Sequence, residues 1–194
     1  MDLGARSGAR TWGKEALAGP IAGIWGLAEA TLFFVVPDVA ISFLALRSRK
    51  IALAACLWAF AGALVGGTVM YSWGRASPAT AEAILEKVPA VNRAMVRRVR
   101  SEVQKRGAVA VALGPLKTTP YKIYMVEAGS LGASPLTVLA ASVPSRLVRF
   151  LLTALIVGWL ARRPLGPWSL DRQRLAVGLF WVVLYIVLML RTPS

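Results

Sequence analysis

The chain has 194 residues, 57% of them hydrophobic, and a formal charge of +14 from 23 Lys+Arg against nine Asp+Glu. With a mean hydropathy of +0.61, it is too apolar for a soluble domain of this length and reads as an integral membrane protein. The basic excess then reads as topological, set in loops beside anionic lipid headgroups, and no nucleic-acid partner is expected. One cysteine (Cys56) and no histidine exclude disulfide frameworks, cysteine metal sites and the common triads, so no metal or cofactor is expected.

The N-terminal MDLGARSGARTWGKEALAG carries positive charge but no compact apolar region ending in a cleavage site. It reads as a retained amphipathic lead-in. Residues 16–46 hold no charge except Glu29 and Asp38, and are broken by Pro20 and Pro37. The expected course is a short helix from Lys14 to Gly26, then a hairpin descending through Phe33 and Phe34. It breaks at Val36–Pro37–Asp38 and returns through Leu46 to the surface marked by Arg47, Arg49 and Lys50.

Ile51 to Trp73 is the clearest span, 23 residues without a charge and long enough to cross about 30 Å of hydrocarbon. Gly62 and Gly66 lie four apart within it, a spacing that lets helix backbones approach closely, although glycine is also generally common in membrane helices. Ser77–Pro78 reads as a cap and first-turn proline opening a helix that Pro89 interrupts. Val91, Met95, Val99 and Val103 then recur every four residues among Arg93, Arg97, Arg98, Arg100 and Lys105. This predicts a basic amphipathic helix on the membrane surface, closed by Gly107.

From Gly107 the order of the first half returns: an apolar run (GAVAVALGPL), a break at Lys117–Lys122 centred on Pro120, a return segment Ile123–Leu131, and a span from Pro135 to Ala161. Leu175–Leu190 is a last apolar stretch of only 16 residues, about 24 Å at 1.5 Å per residue, so its flanks must contribute. The predicted fold is therefore all-α, a single membrane domain over 1–194. It comprises a first hairpin–helix repeat (14–75), a basic amphipathic segment (76–106), a second hairpin–helix repeat (107–163) and a C-terminal transmembrane helix (168–191). The two repeats are expected to be inverted, each a re-entrant broken hairpin followed by a full helix. Residues 75–106 hold eight Lys+Arg, against three at 47–50 and four at 162–174, which predicts a cytoplasmic 75–106 loop and C-terminus.

Charges inside apolar segments are costly and default to function. Glu29 and Asp38 suit proton coupling, because a carboxyl in low dielectric can exchange a proton near neutrality. The bland alternative is a hydrogen-bonded structural carboxyl, or for Asp38 a helix cap. Lys117 and Lys122 flank Thr118, Thr119 and Pro120, and with Arg146 and Arg149 they suit an anionic lipid headgroup. Here the bland alternatives are lysines snorkelling to the interface and arginines pairing with Glu29, Asp38 and Glu127. No GxSxG or paired-Asp motif is present, and Ser145 has no evident base, so an enzyme is not expected.

Glu29, Phe33–Phe34 and Pro37–Asp38, the span closing in TVMYSWGR, and GPLKTTPYKIYMVEAG followed by SRLVRF resemble the DedA/VTT superfamily, the SNARE-associated Golgi proteins. The PYK form resembles its YqaA-like branch. Aligned on Pro120–Tyr121–Lys122, residues Lys122, Arg146 and Arg149 carry over, whereas Lys117 stands where the branch has threonine. The resemblance implies a bacterial-type inner (plasma) membrane protein with two inverted re-entrant hairpins that moves a phosphate-bearing lipid, such as undecaprenyl phosphate or a phospholipid, with possible proton coupling. Membrane lipids and protons would be its partners, and self-association is compatible with it. The alternatives are a proton-coupled antiporter of small ions or drugs, and a non-transporting membrane assembly factor.

Overall fold

The computed structural model describes residues 4–191 apart from Thr118, with side chains from Leu17 to Leu190; Met1–Leu3, Thr118 and Thr192–Ser194 lie outside the described residues, and with them one hydroxyl of the second break. All described elements are helical. They are α1 (Gly4–Ala30), α2 (Asp38–Arg47), α3 (Arg49–Ala76), α4 (Pro78–Leu85), α5 (Arg93–Arg106), α6 (Ala108–Leu113), α7 (Tyr121–Ser130), α8 (Pro135–Val143), α9 (Arg149–Arg162) and α10 (Leu170–Arg191). A 3-10 turn at Gly114–Leu116 follows α6, and a π-type turn at Pro144–Val148 joins α8 to α9. Among the described residues, three helices are long and apolar enough to cross a membrane: Arg49–Ala76, Pro135–Arg162 and Leu170–Leu190. The chain is thus a helical membrane protein.

One expected boundary moves: the first helix covers Gly4–Ala30 rather than Lys14–Gly26, and Pro20 lies inside it rather than breaking it. It is on an exposed position of a helix whose neighbours and lipid-facing flank tolerate one missing backbone bond. The last helix, expected over 168–191, runs from Leu170 to Arg191; Asp171, Arg172 and Arg174 stand near its start, which is why the uncharged stretch alone begins only at Leu175.

Helix α3 is the axis. Residues from Gly19 to Ala30 of α1 run beside Trp58 to Gly66 of α3 in the same direction, and the contact is made by glycine. A Cβ on Gly66 would stand 2.6 Å from the Leu27 carbonyl oxygen and 2.9 Å from the Ala30 Cβ. The spacing of Gly62 and Gly66 is therefore a packing device. Helix α7 continues this pattern along the second half of α3, with Gly67 against Tyr121 and Gly129 against the Tyr71 carbonyl. The α8–α9 rod runs the other way: Ser142 meets Tyr121, the Phe150 carbonyl accepts from Cys56, and Arg162 shares a cavity with Arg49.

Two apolar cores result. One gathers α2, the first half of α3 and α9 around Ile41, Ala52, Cys56 and Phe150. The other gathers the second half of α3 with α4 to α8 around Met70, Leu85, Val99, Tyr124 and Met125. Every residue from Tyr121 to Gly129 is buried, so α7 has protein on all sides.

The amphipathic helix α5 differs from expectation in what covers it. Val96, Val99 and Val103 are buried in the second core, packed on α7 and α6, and not laid on lipid. The residue pattern reports that one face needs apolar cover, and cannot say whether protein or lipid supplies it. Asn92 caps this helix, its side-chain oxygen accepting from the Met95 N–H at 2.9 Å. Asn92→Ala should cost about 1 kcal/mol, read as a lower unfolding midpoint in micelles.

Candidate functional site

The chain between α1 and α2, Thr31 to Pro37, has no helical ladder, so its backbone groups need other partners in a membrane interior. Three side chains supply them. Lys122 Nζ donates to the Phe33 carbonyl at 2.7 Å, Trp25 Nε1 to the Val35 carbonyl at 2.9 Å, and the Val36 N–H donates to Tyr185 Oη at 2.9 Å. The break at Pro37 thus meets the chain just after the break at Pro120. The two proline-centred segments, well separated in sequence, are in contact.

Around this junction, charges pair in a pattern the spacing alone did not specify. Arg146 Nη2 stands 2.8 Å from Glu29 Oε2, both side chains within the interior. Arg149 binds Asp38 through two nitrogens, Nη2 to Oδ2 and Nε to Oδ1, and Thr153 Oγ1 donates to Oδ1 at 2.8 Å. Asp38 opens α2 but its carboxylate faces α9 and makes no cap. Although Arg146 and Arg149 are three apart, they serve different carboxylates. The π-type turn at Pro144–Val148 widens the rod at Arg146, where Pro144 also removes a backbone donor.

Arg146 is fully buried, and its guanidinium lies over the Tyr121 ring with 4.1 Å from Cζ to the centroid. Despite the short separation from Glu29, the contact lacks hydrogen-bond geometry. Among the described residues, Nε, Nη1 and Nη2 have no hydrogen-bond partner, and neither does Glu29 Oε2. Beneath, Tyr121 Oη donates to Ser142 Oγ at 2.7 Å, and Ser142 in turn to the Val138 carbonyl. Lys122, also buried, has no carboxylate within ion-pair distance among the described residues, and it lies within coulombic reach of both Glu29 and Arg146.

The structure therefore brings together Glu29, Asp38, Lys122, Arg146 and Arg149 beside Pro37 and Pro120. It does not bring Lys117. That side chain is exposed and lines a separate cavity of about 360 Å³ with Arg98, Ser101, Glu102, Lys105 and Arg106 of α5. The chain turns at Leu116–Lys117 before it reaches the interior. Glu127 is also elsewhere, buried on the α4–α5 side with Arg100 at 3.6 Å and the Ser130 hydroxyl at 3.3 Å. Ser145 is spent on the Ser142 carbonyl at 3.0 Å. Contributors that charge and proline patterning do not mark are Trp25, Tyr121, Thr153, Tyr185 and the Phe33 carbonyl. Thr153 was within reach, since it lies one turn after Arg149 on the same face.

Among the described residues, no group of His, Cys, Asp and Glu could hold a metal ion. Compared with known proteins, the chain matches no family model, no curated protein and no solved structure.

Proposed function

We infer that this chain is a membrane lipid translocase, and that the anionic headgroup of a phosphate-bearing lipid passes between two hairpin tips that meet at Arg146. The single observation carrying this reading is the Arg146 guanidinium. A buried arginine with no hydrogen-bonded nitrogen is expensive to keep. Its planar fork matches two phosphate oxygens, and Lys122 beside it adds a second cation. Two cations with one loosely engaged carboxylate leave room for an anion.

The helix directions support reading each break as a re-entrant hairpin. Helix α1 follows α3 only as far as Gly66, and α2 brings the chain back to Arg49, where α3 starts. Helices α6 and α7 do the same from the other end of α3. In this reading the halves form an inverted repeat with the site at their interface, as the resemblance to the DedA/VTT superfamily implies.

A transport step follows from charge balance. The phosphate replaces the Glu29 carboxylate as the counter-ion of Arg146, and Glu29 takes up a proton so that no net negative charge is added to the interior. Release returns the proton and restores the ion pair. Asp38, held by Arg149 and Thr153, keeps α2 on α9 while the tips part.

The basic α4–α5 face is set in the cytoplasm, and α10 runs towards that same face. Packing places the 47–50 and 162–174 loops together on the opposite face, so that seven Lys+Arg there (three and four) stand against eight on the α4–α5 side. Thiol labelling of Cys56→Ser protein carrying Ser101→Cys or Ser169→Cys in intact cells assigns the faces. Labelling of the Ser101→Cys variant from outside would reverse the orientation.

The paired carboxylates favour one other reading, a non-transporting assembly factor whose charges only pin the fold. Reconstitution separates the two. With a labelled polyprenyl phosphate or phospholipid in vesicles under a pH gradient, the translocase accelerates transbilayer movement over empty vesicles. No acceleration across several headgroups would exclude translocation.

A further inference from the structure

A cavity of about 390 Å³ opens at the end of the bundle away from α5, lined by Arg49, Ala154, Leu155, Trp159, Arg162 and Arg163. Its chemistry is divided. Leu155 and Trp159 are exposed on the outer side of a membrane-crossing rod, and Ala154 forms a buried floor. At the polar end stand three guanidiniums and no carboxylate. Among the described residues none of the three makes an ion pair, although most other arginines near a carboxylate do. The Arg162 guanidinium is held at the rim by its bond to the Gly158 carbonyl. A Cβ at Gly158 would stand 2.9 Å from Arg162 Nη1, the mobile end of a long side chain, and 3.8 Å from the Ala45 carbonyl oxygen.

We propose that this cavity is a seat for a phospholipid with an anionic phosphate headgroup, distinct from the buried Arg146 site. The phosphate lies among Arg49, Arg162 and Arg163, and an acyl chain lies along Leu155 and the Trp159 indole. Three unpaired cations at the end of a membrane span call for an anion. An apolar wall running from them into the bilayer calls for one that carries a chain, which a free anion lacks. Tryptophan at this level is the side chain suited to the boundary between headgroup and chain. The lipid is held rather than carried. It bridges the start of α3 to the end of α9, and the proposal requires no translocation.

The test uses the full chain in phosphatidylcholine nanodiscs containing a minor fraction of phosphatidic acid with brominated chains. Quenching of Trp159 is read as the difference in fluorescence between the unmodified chain and Trp159→Phe. Brominated phosphatidic acid should quench Trp159 at a fraction where brominated phosphatidylcholine does not. Arg49→Gln/Arg162→Gln/Arg163→Gln should raise the half-saturating fraction on the order of a hundredfold. The same number of cations removed at the far end (Arg98→Gln/Lys105→Gln/Arg106→Gln) should leave it unchanged. Equal quenching by the two lipids in the unmodified chain would overturn the proposal, whatever the fate of the variants. Undiminished quenching in a folded triple variant, or displacement of the lipid by an equal concentration of inorganic phosphate, would overturn it as well. Loss of translocation activity leaves this readout untouched, so failure of the transport reading and failure of the lipid seat are separately visible.

Discussion

Glu29→Leu should destabilise the protein by about 3–5 kcal/mol, the range for removing one partner of a buried ion pair. The magnitude follows from where the pair sits. The Arg146 side chain is 0% exposed and that of Glu29 5%, so the orphaned guanidinium cannot recover water, and among the described residues it has no hydrogen bonds to fall back on. The double variant Glu29→Leu/Arg146→Leu should regain most of the loss, because two apolar side chains of similar reach need no counter-charge. Denaturant unfolding in micelles measures all three proteins. The cycle also bears on function. A folded double variant that no longer moves lipid assigns the pair to transport, whereas one that transports normally assigns it to the fold.

Gly62→Val should prevent α1 from seating on α3, an effect at or above the upper end of the roughly 1–3 kcal/mol typical of overpacked interiors. The added Cβ would strike the Gly23 carbonyl oxygen, with Gly23 C at 2.8 Å and Leu27 N at 3.0 Å. These are backbone atoms of a neighbouring helix and cannot swing aside as a side chain can. Gly178→Ala is the matched control, since its nearest neighbour is Phe43 Cζ at 3.9 Å. Size-exclusion profiles and unfolding midpoints should separate the two sharply, with Gly178→Ala close to the unmodified chain.

The contrast between these residues shows what sequence patterns carry. Apolar runs have lengths fixed by bilayer thickness, so α3, the α8–α9 rod and the core of α10 are legible from hydropathy. Gly62 and Gly66 are legible because small residues one turn apart have a packing meaning in any membrane helix. Pro37 and Pro120 are legible because charge and proline together deny an ordinary span. Pairing is another matter. That Arg146 takes Glu29 while Arg149, three residues on, takes Asp38 depends on the π-type turn and on where α2 meets α9. Neither is a local property of the chain.

Lys117 shows the same limit from the other side. Its spacing to Pro120 equals that of a plausible tip residue, yet the 3-10 turn before it leaves it at the surface with α5. Tyr121 was hidden by its type. A tyrosine next to a break reads as core or interface, and only the packed structure sets its ring under a guanidinium. The bland alternative for the arginines, pairing with acids, is present in the geometry. What the pairing leaves over is specific: hydrogen-bonding capacity on Arg146 and an ammonium, Lys122, engaged among the described residues by a main-chain carbonyl.

That remainder is the centre of the account, and Lys122→Met tests it most directly. Methionine keeps the length of the stem and removes the charge, and the Phe33 carbonyl loses one partner, so an unfolding midpoint must first show that the variant folds. Flux of a labelled phosphate-bearing lipid in reconstituted vesicles is then compared with the unmodified chain. Flux should fall roughly tenfold or more, the worth of a charged contact to phosphate. Flux at the unmodified level in folded Lys122→Met protein would contradict it.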